Sequence, residues 1–321
     1  MKSSTLPTIP RPSPRVRFKN ILLATDLGAA STQAHVYAVL LARALGSHLY
    51  ILHTDPGAGL SPRYLGAPQA LKEEAGQPSS HEIEELERYF DASGVRFTLL
   101  LERGEVGDTL NRVMEDHPID LIIVGSHGRT GISHLFLGST AENVTRSMNC
   151  PVIAVGPQAS LNSEIPLKTI VFATDFSEES KLALPYATCL AQEFNASLNV
   201  LHVAPKCARL VGDRQRVGDY LLNQLKNLVP QGRFRWCSIS YVVTFGDAAE
   251  EIPKAARASN ADLIVLGLHS AVQFTSHLPE RLGYRVLCQA PCPVLSVLPG
   301  ARELKLARIP GEFLSMAPYL N

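Results

Sequence analysis

Two glycine-bearing segments carry the most distinctive chemistry of this 321-residue chain: Gly125-Ser126-His127-Gly128 and, after nine intervening residues, Gly138-Ser139-Thr140-Ala141-Glu142. Ser139 with Glu142 three positions later forms a capping box, which predicts a helix start there. The first N–H groups of a helix lack partners within it and lie at the positive end of its dipole, so they receive anions. Gly138 just before them, with Gly125 and Gly128 opposite, would let a phosphate approach the backbone without meeting a Cβ. The pattern asks for a phosphate-bearing ligand. His127 reads as a loop shaper rather than a base, because no Ser, Cys or second acid is placed to build a triad with it.

These residues need a rigid frame, and the chain supplies one twice. Asn20-Ile21-Leu22-Leu23-Ala24-Thr25-Asp26 returns as Thr169-Ile170-Val171-Phe172-Ala173-Thr174-Asp175, an offset of 149 residues, and Leu49 to His53 returns as Leu198 to His202. Gly104, Asp120 to Gly125 and Cys150-Pro151-Val152 match Gly246, Asp262 to Gly267 and Cys292-Pro293-Val294 at an offset of 142, so the second copy is shorter between its second and third strands. Matched blocks in one order establish an internal duplication. The join is the polar stretch from Gly156 to Pro166.

Within each copy, short runs rich in Ile, Leu and Val alternate with helical patterns, which predicts βαβ units around a parallel sheet covered on both faces. Strands are expected at about 19–25, 48–54, 96–102, 120–125 and 151–155, then at 168–174, 197–203, 238–244, 262–267 and 293–297. Ala34, Tyr37, Ala38, Leu41 and Leu45 share one helical face, and Ala183, Tyr186, Ala187, Leu190 and Phe194 repeat it. Gly46 and Asn195 stand where those helices should end in a left-handed residue. Ligands of such sheets bind beyond the carboxyl ends of the strands, where strand order reverses. That edge carries Thr25 and Asp26, Thr54, and the segment from Val124 to Gly128. His53 and His202 read as hydrogen-bonded residues at strand ends, and Asp26 also suits a turn after a strand.

Composition limits the partners. Hydrophobic residues make up 45% of the chain and charged residues 19%, with 30 Lys plus Arg against 30 Asp plus Glu. That is a globular composition without the basic excess that nucleic acid or an anionic membrane surface would select. The Pro- and Ser-rich segment 1–16 lacks the apolar run of a signal peptide and reads as a disordered leader of a cytoplasmic protein. Six cysteines are scattered rather than paired, which favours buried thiols over a metal site.

The glycine pattern Gly125-x-x-Gly128, nine residues, Gly138-Ser139 resembles the ATP-binding motif of the universal stress protein family, and the resemblance spans residues 17–157 and 166–299. It implies two tandem doubly wound α/β domains, each a five-stranded parallel sheet of order 3-2-1-4-5 with helices on both faces, Rossmann-like and similar to the adenine nucleotide alpha hydrolases. Segment 158–165 would link them and 300–321 would form a tail. Carried over, the motif implies that Asp26 and the backbone around Thr25 and Thr54 hold the adenosine of ATP, with or without Mg2+. Val124, Gly125, His127, Gly128, Gly138, Ser139 and Thr140 would line ribose and phosphates.

The second half departs from the motif: Ser270 replaces Gly128, and Glu280-Arg281 replace Gly138-Ser139. A carboxylate there would crowd and repel a phosphate, so this half is expected to have lost the site. The first strand lacks the Ser-Gly-Gly-x-Asp-Ser loop of ATP-consuming synthetases, and neither third strand ends in the Asp of a receiver domain. No arginine finger, acidic metal pair or positioned base promises more than slow hydrolysis. The expected role is a stress-response sensor whose bound nucleotide alters a surface read by an unidentified protein; the alternative is a nucleotide-free interaction module. Strands 151–155 and 293–297 resemble exposed apolar edges, so the halves should pair there about a pseudo-twofold axis. The sequence leaves open whether tandem chains dimerise again.

Overall fold

The computed structural model describes residues 18–27, 31–55, 80–125, 150–160, 167–206, 214–229, 237–268 and 282–300. Ten strands form one sheet. The first half contributes β1 (Asn20–Thr25), β2 (His48–Asp55), β3 (Phe97–Arg103), β4 (Leu121–Gly125) and β5 (Val152–Val155). The second contributes β6 (Thr169–Ala173), β7 (Ser197–Ala204), β8 (Ile239–Phe245), β9 (Leu263–Gly267) and β10 (Val294–Val297). Every strand lies within one residue of its expected bounds. The spatial order is β3-β2-β1-β4-β5-β10-β9-β6-β7-β8, so each half shows the doubly wound arrangement, written outward from the middle.

All neighbouring strands are parallel except the central pair. There β5 and β10 run antiparallel, with Ile153 opposite Leu295, Val152 opposite Ser296 and Ala154 opposite Val294. The two four-residue strands are buried at every position. Each would be an unpaired apolar edge in an isolated half, and each satisfies the other's backbone groups.

Helices cover both faces. One layer holds α1 (Thr32–Leu45), α2 (Ser80–Ser93), α4 (Glu178–Phe194) and α5 (Arg214–Leu228) against a core that includes Ile21, Leu23, Ile153, Ile170, Phe172 and Leu295. The other holds α3 (Val106–Asp116), α6 (Ala248–Ala258) and α7 (Leu282–Gln289) against Leu22, Val124, Val152, Val171 and Val294. Alternate residues of one strand therefore feed two cores, as the two-faced burial of β1 and β4 requires. Both cores cross the boundary between the halves.

The expected helical faces are the buried ones: Ala34, Tyr37, Ala38 and Leu41 in α1, and Ala183, Tyr186, Ala187 and Leu190 in α4. Both helices stop as expected, with Gly46 at φ 66° and Asn195 at φ 52°. The duplication also reaches the strand entries. Asp120 accepts from the N–H groups of Lys19 and Asn20 at 2.8 and 3.1 Å, and Asp262 accepts from those of Lys168 and Thr169 at 2.7 and 2.9 Å. Each carboxylate pins the start of the first strand of its half beside the fourth. Cys150, Cys189, Cys288 and Cys292 are buried and Cys237 half-buried, all as free thiols, in keeping with the scattered-thiol reading.

Side chains lock the halves together. The Phe18 ring stacks on Tyr186 with centroids 6.3 Å apart. Cys292 and Asp262 of the second half lie near the Tyr37 hydroxyl, and Cys150 and Asp120 of the first half lie near the Tyr186 hydroxyl. Just past β5, the Ser160 N–H donates to the Pro291 carbonyl at 3.0 Å, and Arg257 bridges Gln158 and the Gln289 carbonyl.

Two predictions follow from this interface. The Tyr37 hydroxyl is fully buried without a hydrogen-bond partner among the described residues. A buried orphan donor costs about 1–3 kcal/mol, so Tyr37→Phe should hold or raise the unfolding free energy in urea titration, and a clear loss would reveal a missed partner. A Cβ added to Gly156 would stand 2.6 Å from the Leu287 carbonyl oxygen, backbone against backbone across the interface. Gly156→Ala should therefore cost about 1–3 kcal/mol in the same titration.

Candidate functional site

The strand order reverses between β1 and β4 in the first half, and a crevice opens beyond their carboxyl ends. The turn that leaves β1 forms one wall. The Thr25 hydroxyl accepts from the Leu27 N–H at 3.1 Å, a hydroxyl-closed turn in which Leu27 takes φ 63°. A left-handed leucine costs on the order of 1–2 kcal/mol, so the fold holds this turn against its local preference. Asp26 lies at its apex, and the Ser31 hydroxyl donates to its Oδ1. His53 on β2 is buried, and its Nδ1–H donates to the Thr25 carbonyl at 3.0 Å. The histidine at the strand end is hydrogen-bonded, as its position suggested.

His35, one turn into α1, completes this wall. Its Nε2 lies 2.7 Å from the Thr25 hydroxyl. The ring sits against Phe90 and Tyr89 of α2, with centroids 5.9 and 6.3 Å away. Burial lowers its pKa to about 4, and the nearby Asp26 carboxylate only partly opposes that. The imidazole is therefore neutral at physiological pH.

Of the residues singled out in the sequence, Thr25, Asp26, Thr54, Val124 and Gly125 stand together on the carboxyl edge of β1, β2 and β4. They do not all offer the same chemistry. The Thr25 hydroxyl is taken up by the turn and His35, and the Val124 side chain packs in the core beneath α3, α6 and α7, so a ligand would meet these two through their backbones. Thr54 is half-buried near the end of β2. A Cβ placed on Gly125 would lie 3.6 Å from the Ser31 Cα and Oγ and 3.7 Å from the Ala34 Cβ, ordinary van der Waals contact, so the start of α1 stands beside this strand end without crowding it. His127, Gly128, Gly138, Ser139 and Thr140 lie outside the described residues, as does the capped helix start expected at Ser139.

The second half repeats the turn but not the space. Phe176 takes φ 67°, and its N–H donates to the Thr174 hydroxyl at 3.0 Å. The His202 Nδ1–H donates to the Thr174 carbonyl at 2.8 Å. Here Ser177, at the position of Gly28, caps α4 by accepting from the Ser180 N–H at 3.1 Å. Burial would raise the Asp175 carboxyl, but hydrogen bonds from the Ser177 hydroxyl and amide hold it below its usual range. Above all, the helix start sits on the end of β9. A Cβ on Gly267 would fall 2.0 Å from the Glu179 carbonyl oxygen and 2.5 Å from the Ser180 Cα. Ser180 is the counterpart of Ser31, so equivalent atoms stand at 2.5 Å in this half and 3.6 Å in the first. The crevice is closed by the protein's own helix, a second obstacle besides the substitutions at Ser270, Glu280 and Arg281, which lie outside the described residues.

Sequence reasoning missed His35 and Ser31. The signal was present in the duplication: His35 is a polar residue on an apolar helical face, and its counterpart is Leu184.

Comparison with known proteins places this geometry. A model of the Universal stress protein family matches residues 17–156 and again 166–297. A universal stress protein of Methanocaldococcus jannaschii is 25% identical over 141 residues, covering 43% of this chain and 82% of the relative. One from Thermus aquaticus is 31% identical over 142 residues, covering 43% of this chain and 98% of the relative. The crystal structure of a universal stress protein from Archaeoglobus fulgidus superposes with a TM-score of 0.62 at 16% identity, over 88% of this chain and 99% of that one, which shows a shared fold. With two copies of the family domain fused through β5 and β10, the chain belongs to the universal stress protein family as a tandem two-domain member.

Proposed function

We propose that the first half binds an adenine nucleotide, ATP with or without Mg2+, and that the second half serves as its structural partner. The observation that carries this reading is that, in the half whose sequence continues into Gly128 and Gly138-Ser139, the helix start stands back from Gly125 to ordinary contact, whereas it overlaps the same position at Gly267. Asp26 supplies a carboxylate, which can only accept hydrogen bonds when ionised and so suits a sugar hydroxyl or an exocyclic amine. The glycines and the helix expected at Ser139 suit phosphates. His127 and Thr140 would flank that segment, and Thr54 would close the far wall from β2.

Among the described residues, His35 and His53 are both engaged with Thr25, so neither is positioned as the base of a nucleophile pair for rapid turnover. The role that fits is regulatory. Bound nucleotide would bias the segment from Arg129 to Leu137, and with it a surface offered to another protein in a stress response. Among the described residues, no helix is long and apolar enough to cross a membrane.

Calorimetry of the full chain with ATP and Mg2+ tests the reading. One site per chain is expected. Gly138→Glu should abolish it, and Glu280→Gly should leave the count at one, because the helix start of α4 still closes the second crevice. Two sites in the wild type would refute the asymmetry. Absence of any site would leave the nucleotide-free interaction module as the better account.

A further inference from the structure

The geometry points to His35 as the positioning residue that holds the crevice of the first half open, and so decides which half can take a nucleotide; the inference rests on nucleotide binding by that half. The two turns are built alike, and each needs a partner for the threonine that closes it. In both, the threonine oxygen accepts from the N–H two residues on. Its own hydrogen must go elsewhere.

In the second half, Leu184 stands at the position of His35 and offers no acceptor. The Thr174 hydroxyl instead lies 2.8 Å from the Ser180 hydroxyl. Ser180 gives its hydrogen to the Ser177 carbonyl at 2.9 Å, so Thr174 is the donor. A serine oxygen reaches only one bond beyond Cβ. This pairing therefore draws the first turn of the helix onto the strand ends, where the Glu179 carbonyl meets Gly267.

In the first half, the acceptor comes from the next helical turn. An imidazole reaches several bonds further than a hydroxymethyl group, so His35 meets Thr25 at 2.7 Å while Ser31 stays back from Gly125. In the tautomer of the neutral imidazole that carries its proton on Nδ1, Nε2 accepts the Thr25 hydroxyl hydrogen while Leu27 N–H occupies one of the two Thr25 lone pairs. Ser31 is released, and its hydroxyl turns to Asp26 at the mouth of the crevice. His35 thus opens the space and orders the carboxylate in one arrangement. Phe90, wholly buried, and Tyr89 back the ring, and Asp26 is the charged group that faces it.

The test uses the full chain with three forms, wild type, His35→Leu and His35→Gln. The leucine is the second half's own residue, and the glutamine amide offers Thr25 either a donor or an acceptor. ATP affinity by calorimetry should fall about tenfold or more in His35→Leu, the factor that one lost hydrogen bond near 1.4 kcal/mol gives, and stay within about threefold in His35→Gln. Equal affinity in wild type and His35→Leu overturns the proposal. A crystal structure of His35→Leu reads it without nucleotide. Ser31 paired with Thr25 and drawn onto Gly125 supports it; an unmoved Ser31 still paired with Asp26 overturns it. If the wild type binds no ATP, the functional reading fails, and this structure alone decides the role of His35. Nuclear magnetic resonance of the ten histidines supplies the signature. One imidazole should stay neutral to about pH 4 and vanish in both variants, whereas a histidine titrating near 6.5 at this position would refute the burial that seats the ring between Thr25 and α2.

Discussion

The antiparallel pairing of β5 and β10 is the constraint on which the rest of this molecule depends. A doubly wound half ends on a short strand, and here that strand is apolar on both faces. Left alone, it would expose unpaired backbone and the flank of both cores. Fusing two copies edge to edge removes both liabilities at once. The result is a single sheet whose two cores run unbroken through the junction. The fusion also explains why a half that has closed its crevice persists: β10 covers β5, α7 packs its Leu287 carbonyl against Gly156, and Tyr186 stacks on Phe18. The structural role of the second half rests on these contacts and not on its own strand ends.

Each crevice is a consequence of topology, whereas its occupancy is a matter of local chemistry. Strand order places the ends of β1 and β4, or β6 and β9, on either side of a gap in both halves. What differs is how far the following helix reaches into it. Ser177 is a better helix cap than the glycine at the same place in the first half, and Glu178 and Glu179 in the first turn suit the helix dipole. The same carboxylates would repel a phosphate. Stabilising the helix start and drawing it onto the strand ends thus go together in the second half.

The sheet was legible because its strands are covered on both faces. Continuous runs such as Leu121-Ile122-Ile123-Val124 leave little choice of element or register, and the duplication checked each assignment against its twin. Gly46 and Asn195 were legible for the same kind of reason, since few residues accept the left-handed conformation. Leu27 and Phe176 take that conformation too, yet nothing in a leucine or a phenylalanine announces it. Their turn is imposed by the threonine two residues earlier and by the strand that precedes it. His35 escaped for a related reason: its significance lies in a hydrogen bond to a residue ten positions away, and helical periodicity counts it only as an interruption of an apolar face.

Comparing the halves also shows that the paired aspartates Asp26 and Asp175 are held differently. Asp175 keeps the carboxylate although its crevice is shut, and there the Ser177 hydroxyl and amide hold it, which is a local turn function. Glycine occupies the Ser177 position in the first half, so neither that hydroxyl nor that cap is available to Asp26. Its described hydroxyl partner comes instead from Ser31, at the start of the helix. An aspartate tied to its own turn is committed; one tied to a helix start five residues further along the chain can exchange that partner when the helix or a ligand moves. The duplication retained the residue and changed what it is free to do.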